Sequence, residues 1–503
     1  MKKLSSRDKQ EHYFRTTHLK EDLKGRSVRG GAITMFAQVF KFGLNLVSNV
    51  VLARLLTPPD YGLVGMVTAV TGFVTIFRDL GLSMATVQKE EINHQQVSTL
   101  FWVNILISIV TTIITVAIAP VIAQFYSEPR LTWITIALAG GFIISGLGVQ
   151  HQALLNRQMQ YKVLMTRDVI SMLAGIVSAI VAAWYGLGYW ALVILPLVTA
   201  FVGTAGLWMA CNWRPGLPAR KAGVRSMLVF GSNLTGFNMV NYFARNLDNV
   251  MIGRVWGAQQ LGLYAKAYQL LLLPLQQINA PVTAVAIPTL SRLVDSPERY
   301  RQAYLRILEK LTILTTPLIV FLIATSDWII LLLLGEQWSE ASPIFSLLGI
   351  IALTQPVSST TGWLFITQGR TNHMFQWGVV GSTLSVVSII AGLPWGATGV
   401  AASYSISGLL IRTPILFWYV GRAGSVKAID IYRTMAPSTI ASLCSLLVIV
   451  AVRQYIEIQN PLIGILLGFS ITLGITLLIL MILPTGRRSL RDFKELASYL
   501  SNK

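Results

Sequence analysis

Lys41 stands in the middle of an apolar stretch, about ten residues, or roughly 15 Å of helix, from polar flanks on either side. An ammonium group at the centre of a bilayer costs about 2.5–3.5 kcal/mol on insertion scales, so a lysine there argues for a task. Arg78, Asp79, Asp168, Arg245, Asp248, Lys266 and Arg412 also fall within apolar segments. Cations outnumber acids in this set. A cavity lined by them suits a phosphate or carboxylate, with Arg gripping by bidentate geometry and Lys acting as a point charge. Lys41, Arg245, Arg412, Arg78 and Lys266 are thus the candidate anion-binding residues. Asp248 and Asp79 are candidates to carry a coupled proton or sodium ion, or to balance the arginines. Plainer roles compete. Arg245 and Asp248 are one helical turn apart and can pair, while Arg78, Asp168 and Lys266 lie near segment ends and can snorkel. Polar interruptions at Ser232-Asn233, Asn238, Gln276-Gln277-Ile278-Asn279 and Gln355-Pro356 suit either sugar hydroxyls or interhelical packing.

Other chemistry is missing. There is no GxxxxGK[ST] phosphate loop, HExxH pair, GxSxG elbow or DxD acid pair. His12, His18, His94, His151 and His373 are scattered over polar ends, and Cys211 and Cys444 fit no metal or redox spacing. No metal, organic cofactor or enzymatic activity is expected.

The elements that must position these charges follow from composition. Of 503 residues, 53% are hydrophobic and 12% charged, about half the charged fraction of a soluble domain. Apolar runs near 30–54, 60–84, 98–123, 131–150, 166–184, 189–210, 226–252, 262–288, 311–334, 343–366, 375–393, 396–420, 434–456 and 461–483 predict an all-α polytopic membrane protein of about fourteen spans. Thr57-Pro58-Pro59-Asp60, Tyr185-Gly186-Leu187-Gly188 and Gly392-Leu393-Pro394-Trp395-Gly396 read as tight turns between them.

The formal charge of +19 is distributed unevenly. Alternate connections collect the Lys and Arg, among them Arg157 and Lys162, Arg220 and Lys221, Arg299 and Arg301, and Arg487 and Arg488. The opposite set has little beyond Arg54, Arg130, Arg254 and Arg453. Positive residues are retained on the cytoplasmic side, so both termini are expected there, and the basic excess does not signal nucleic acid. Residues 1–29 are expected to be a solvated cytoplasmic tail and 211–225 a cytoplasmic linker. Tyr300, Tyr304, Ile307 and Leu311 at helical spacing predict a helix lying on the membrane surface, as do Leu490, Phe493, Ala497 and Leu500 in a tail at 484–503.

Offset by 200, the chain matches itself. Asn49-Val50-Val51-Leu52-Ala53-Arg54-Leu55 pairs with Asn249-Val250-Met251-Ile252-Gly253-Arg254-Val255, and Gly62-Leu63 with Gly262-Leu263. Such a repeat predicts two pseudo-symmetric six-helix lobes, 30–210 and 226–420, around a central cavity, with two additional spans at 421–483. In transporters of this kind a midplane site is exposed to each side in turn.

The motifs Asp79-Leu80-Gly81-Leu82-Ser83, Phe125-Tyr126-Ser127-Glu128-Pro129, Asn156-Arg157-Gln158-Met159-Gln160-Tyr161-Lys162, Gly186-Leu187-Gly188-Tyr189-Trp190 and Asp248 through Arg254 come in an order that resembles the Wzx-type polysaccharide flippases. These belong to the multidrug/oligosaccharidyl-lipid/polysaccharide flippase superfamily. The resemblance implies translocation of undecaprenyl-pyrophosphate-linked oligosaccharide across the bacterial inner membrane, for lipopolysaccharide, capsule or exopolysaccharide. It implies membrane lipids and polysaccharide polymerase or export proteins as partners. Two alternatives stand beside it: a cation-coupled multidrug antiporter of the same superfamily, expected to bind its substrate with acids, and a membrane-embedded glycan polymerase or ligase, expected to carry a large outer loop.

Overall fold

A computed structural model describes residues 14, 23–75, 82–89, 91–219, 225–483, 486–487 and 491. All regular structure among them is helical. Among the described residues, ten helices are long and apolar enough to cross a membrane, or eleven if one bent pair counts as a single span. The protein is therefore a multi-pass membrane protein. The helix Arg225–Ser291 has 67 residues, more than twice what one crossing needs, and it is interrupted at Gly257, whose φ of 77° only glycine adopts readily. A short turn at Leu393–Trp395 likewise divides the stretch Thr371–Gly421. With those breaks counted, the described helices follow the order of the expected spans. The chain forms two compact units, Met1–Gly262 and Leu263–Lys503.

In the first unit, helix α1 (Leu23–Leu55) passes directly into α2 (Pro58–Thr75). Proline suits the first helical position because its missing N–H needs no partner there. Asp60 Oδ2 accepts from the Thr57 backbone N–H at 2.9 Å and from its hydroxyl at 2.7 Å, fixing the turn. A short helix α3 (Leu82–Gln88) precedes α4 (His94–Tyr126), which opens on a reciprocal capping box between Asn93 and Gln96 and ends at Ser127 in the left-handed conformation. Helices α5 (Arg130–Gly146) and α6 (Val149–Arg157) meet at a 41° bend. Helices α7 (Tyr161–Trp184) and α8 (Trp190–Ala210) form a hairpin whose turn uses Gly186 and Gly188, both at positive φ. They pack closely where Gly175 leaves room for the Thr199 hydroxyl and the Leu195 carbonyl, the small-residue contact that brings membrane helices together.

Arg157 ties the α6 end to α3. Its guanidinium donates to the carbonyls of Thr86 (3.2 Å), Val87 (3.3 Å) and Lys89, and to that of Phe14 (3.4 Å). A cation on the last carbonyls of a helix satisfies groups the helix leaves unpaired. Phe14 itself is buried beside Trp213 and Val97, so at this residue the tail is docked rather than solvated. The segment 211–219 is also held down. Trp102 Nε1 donates to the Gly216 carbonyl at 2.8 Å, the Gly216 and Ala219 N–H groups donate to Ser98 and Thr99, and Trp213 Nε1 donates to His94 Nδ1 at 3.1 Å.

The stretch Arg225–Ser291 (α9), broken at Gly257, carries the second copy of the repeat, and the two copies touch. A Cβ on Gly62 would lie 1.8 Å from the Ala258 carbonyl oxygen, and a Cβ on Gly262 would lie 1.9 Å from the Pro58 carbonyl oxygen. Backbone therefore meets backbone at both places, and 58 stands to 258 as 62 stands to 262. The offset of 200 read from the sequence is a physical pairing.

The second unit continues with α10 (Pro297–Ala324), α11 (Ser326–Leu333), α12 (Ala341–Ala352), α13 (Gln355–Thr367), α14 (Thr371–Gly392), α15 (Gly396–Ser407), a π-helical turn at Gly408–Arg412, α16 (Thr413–Gly421), α17 (Ala428–Tyr455) and α18 (Pro461–Ile482). Tyr300 and Tyr304 do not face a membrane surface. They lie in the core with Trp363, Phe365 and Phe417, their hydroxyls hydrogen-bonded to Thr367 (2.6 Å) and Thr360 (2.8 Å). The helical spacing was sound, but threonines on α13 satisfy the phenols, so burial wins over the interface. The last two helices are tied to the rest of the unit by Arg453, which donates to the Ala324 carbonyl at 2.7 Å and to both oxygens of Asp327 while lying 4.3 Å from the Trp328 ring centroid. The second surface-helix expectation, Leu490 through Leu500, lies outside the described residues.

Candidate functional site

Five helices of the first unit, α1, α5, α6, α7 and α8, line a cavity of about 410 Å³. Lys41 on α1 points into it, as do Gln152 on α6, Arg167 and Asp168 on α7, and Thr199 on α8. Lys41 Nζ is 3.2 Å from Asp168 Oδ2, and Arg167 NH1 is 2.8 Å from Asp168 Oδ1. Arg167 NH2 donates to Gln152 Oε1 at 2.9 Å, and the Ser171 hydroxyl to the Asp168 carbonyl at 3.0 Å. The carboxylate is bridged by two cations, which offsets much of the cost of partly burying these charges while leaving the cluster net positive. The rest of the lining is mixed: Asn45, Ser145 and Thr204 face the same space as Val149, Met172 and Leu207, and Thr204 donates to the Ile144 carbonyl at 2.9 Å. Such a cavity can hold an anionic group while its hydroxyls and amides meet neutral polar ones.

The sequence profile of the family described as "Polysaccharide biosynthesis protein" matches residues 51–343, more than half of the chain. The chain belongs to that family. Its relatives include the lipopolysaccharide biosynthesis protein WzxC of Escherichia coli (strain K12), 26% identical over 405 residues, which are 79% of this chain and 81% of WzxC. The succinoglycan biosynthesis transport protein ExoT of Rhizobium meliloti (strain 1021) is 25% identical over 467 residues, 91% of this chain and 92% of ExoT. In fold, the chain is similar to the lipid II flippase MurJ in an inward closed conformation, with a TM-score of 0.71 at 16% identity over 90% of this chain and 98% of MurJ.

Of the residues expected to bind substrate in this polysaccharide biosynthesis protein, Lys41 is the one found in the cavity. Arg78 and Asp79 lie outside the described residues, as does the Arg245 side chain. Asp248 is buried and accepts from the Asn249 N–H at 2.8 Å. Lys266 and Arg412 belong to the second unit. Lys266 is buried there. Arg412 closes the π-helical turn, donates to the Ser385 hydroxyl and sits 4.2 Å from the Tyr404 ring centroid. A π turn inserts one residue and re-aims the side chain that follows, a device common at functional sites.

Sequence reasoning missed Arg167 and Gln152. It began the fifth span at residue 166, which made Arg167-Asp168 look like a span end; the helix in fact starts at Tyr161, so the pair sits a further turn inside. It also missed an aromatic cluster in the first unit, where the buried His151 stacks on Trp208 at 4.5 Å and His94 packs edge-on to Trp213. These histidines lie in packed aromatic surroundings, not on polar ends.

Proposed function

We propose that this protein translocates a polyprenyl-pyrophosphate-linked oligosaccharide across the bacterial inner membrane by alternating access, for lipopolysaccharide, capsule or exopolysaccharide export, with both termini cytoplasmic. The observation that carries this is a cavity among membrane helices in which Lys41 and Arg167 outnumber the single acid Asp168, on a chain of the polysaccharide biosynthesis family. The cations hold the pyrophosphate, by the bidentate and point-charge modes their side chains offer. Gln152, Thr199 and Ser145 are placed to meet sugar hydroxyls, and the polyprenyl chain remains in the surrounding lipid. Movement of the lobe 30–210, which holds this cavity, alternates its access to the two faces of the membrane, and Arg245, Arg412, Arg78 and Lys266 remain candidates to contact the substrate during the cycle. Asp248 and Asp79 remain candidates for proton or sodium coupling, and the polysaccharide polymerase and export machinery are the expected partners. A multidrug antiporter for cationic substrates would require the opposite balance of charge in the cavity.

The test is export by cells whose only copy carries Arg167→Gln or Lys41→Met. Loss of one charged hydrogen-bonding partner, worth about 1.5–3 kcal/mol, should lower surface polysaccharide about tenfold or more at unchanged protein abundance, with lipid-linked glycan accumulating inside. Normal export by abundant variant protein would remove that residue from the site.

A further inference from the structure

Arg370 and Arg422 stand in two short connections at one end of the second unit, Arg370 between α13 and α14 and Arg422 just after α16. Folding brings them onto the same turn. Arg370 NH1 donates to the Val420 carbonyl at 3.2 Å and to Gln368 Oε1 at 3.3 Å, and the guanidinium lies 5.6 Å from the Phe365 ring centroid. The Arg422 guanidinium lies 4.7 Å from the ring centroid of Tyr419 and 5.4 Å from that of Trp418. Tyr419 is fixed in turn, its hydroxyl donating to Gln376 Oε1 at 2.7 Å and its ring packed beside His373 and Trp377. Retaining positive charge at a span end requires none of this construction.

The two charges are not offset locally. Among the described residues neither arginine has a carboxylate partner. Asp430, which opens α17, is held by Arg301 at 2.6 and 2.9 Å and by the Lys427 N–H at 3.0 Å. Burial, together with the like charge of Arg422, holds the Arg370 pKa below the usual guanidinium value. Arg370 NH2 is enclosed without a hydrogen-bond partner. Helix α14 starts beside it at Thr371 with no side-chain cap, which adds the positive end of a helix dipole. An anion set between the guanidiniums relieves the repulsion and supplies acceptors.

The helices leading to the pair favour a lipid over a soluble anion. Helix α14 carries no Lys, Arg, Asp or Glu between Thr371 and Gly392, and neither does α16 between Thr413 and Gly421. Their exposed large side chains include Phe375, Val379, Ile415 and Trp418, with Phe375 59% and Trp418 58% exposed. Acyl chains suit such faces, and a tryptophan suits their edge at the headgroup level.

We infer that Arg422 and Arg370 hold the phosphate of an anionic phospholipid whose acyl chains lie along α14 and α16. The exposed Arg422 grips the phosphate oxygens through its planar fork, and Arg370 behind it supplies the second charge. A zwitterionic phospholipid is disfavoured, because its ammonium group would bring a third cation to the site. The site lies within the second unit and does not depend on what is transported.

Native mass spectrometry of the purified full-length protein in neutral detergent tests this, with dioleoyl phosphatidylglycerol as the probe and phosphatidylcholine of the same chains as the control. The wild type should bind phosphatidylglycerol at least about tenfold more tightly than the control. Arg422→Gln should weaken that binding about tenfold or more at an unchanged melting temperature, leave phosphatidylcholine unaffected, and be partly rescued by Arg422→Lys. Lys41→Met, in the first unit, should bind as the wild type does. Equal binding of the two lipids by the wild type, or an undiminished preference in both Arg422→Gln and Arg370→Gln, would overturn the site. Displacement of phosphatidylglycerol by an equal concentration of inorganic phosphate would make it a free-anion site and overturn the lipid as its ligand. Displacement by an equal concentration of farnesyl diphosphate esterified to one sugar would likewise overturn it, by assigning the pair to the transported substrate.

Discussion

Lys41 and Asp168 are 127 residues apart in the chain and 3.2 Å apart in space, joining α1 to α7 across the cavity. Each is about a quarter exposed, so water screens the pair only in part. Because Arg167 also holds Asp168, the two sides of the pair differ. Removing the lysine leaves the acid compensated, whereas removing the acid leaves two cations facing each other. Lys41→Met should therefore cost little thermal stability, and Asp168→Leu about 1–3 kcal/mol, with the double variant recovering part of the loss. Thermal unfolding in detergent of the two single variants and the double variant measures this, and equal costs for the singles would show that Arg167 does not compensate.

Gly62 and Gly262 have no room for a methyl group, since the atoms a Cβ would strike are backbone carbonyls under 2 Å away. Gly62→Ala and Gly262→Ala should each reduce folded protein severely, beyond the roughly 1–3 kcal/mol of an overpacked core. Gly378→Ala, where a Cβ meets nothing within 4 Å, should be neutral or slightly stabilising. Size-exclusion profiles of fluorescent fusions compare the three directly.

Arg453 offers a bidentate grip on Asp327 together with a stacking face on Trp328. Arg453→Lys keeps the charge but loses both features, and should cost about 1–2 kcal/mol. The exchanged pair Arg453→Asp with Asp327→Arg should recover more stability than either single charge reversal. Melting temperatures of the four proteins decide it.

In the connection between α4 and α5, the Arg130 guanidinium hydrogen-bonds the Glu128 carboxylate at 2.8 Å and holds its pKa below the ordinary carboxylate value. A carboxylate with a lowered folded-state pKa contributes stability above its unfolded pKa and loses it as pH falls through the folded value. Arg130 is half exposed, so the contribution should be at most about 0.5 kcal/mol. The stability difference between wild type and Glu128→Gln should be measurable at neutral pH and vanish in acid.

Much of this was legible in the sequence because membranes impose simple rules. Long apolar runs gave the helices, Thr57-Pro58-Pro59-Asp60 and Gly186-Leu187-Gly188 marked real turns, and the cost of an isolated ammonium group singled out Lys41. What escaped were relationships between distant residues. Arg167 next to Asp168 looked like the edge of a span, because nothing in the linear order shows that Lys41 and Gln152 wait opposite them. Tyr300 and Tyr304 carried the periodicity of a surface helix, and only the threonines of α13 reveal that their hydroxyls are satisfied inside. His94 and His151 were read as lying on polar ends because Trp208 and Trp213, which pack against them, come more than fifty residues later.

The contact between Pro58–Gly62 and Ala258–Gly262 has a further consequence. Each glycine sits against the carbonyl of the residue four places before the other, so the joint maps onto itself when the two copies are exchanged. That is the geometry by which identical subunits meet across a two-fold axis, here written twice along one chain. Such a joint limits divergence in pairs: the exposed Leu55 and Val255 are free to differ, but neither Gly62 nor Gly262 can change unless the facing backbone of the other copy moves with it.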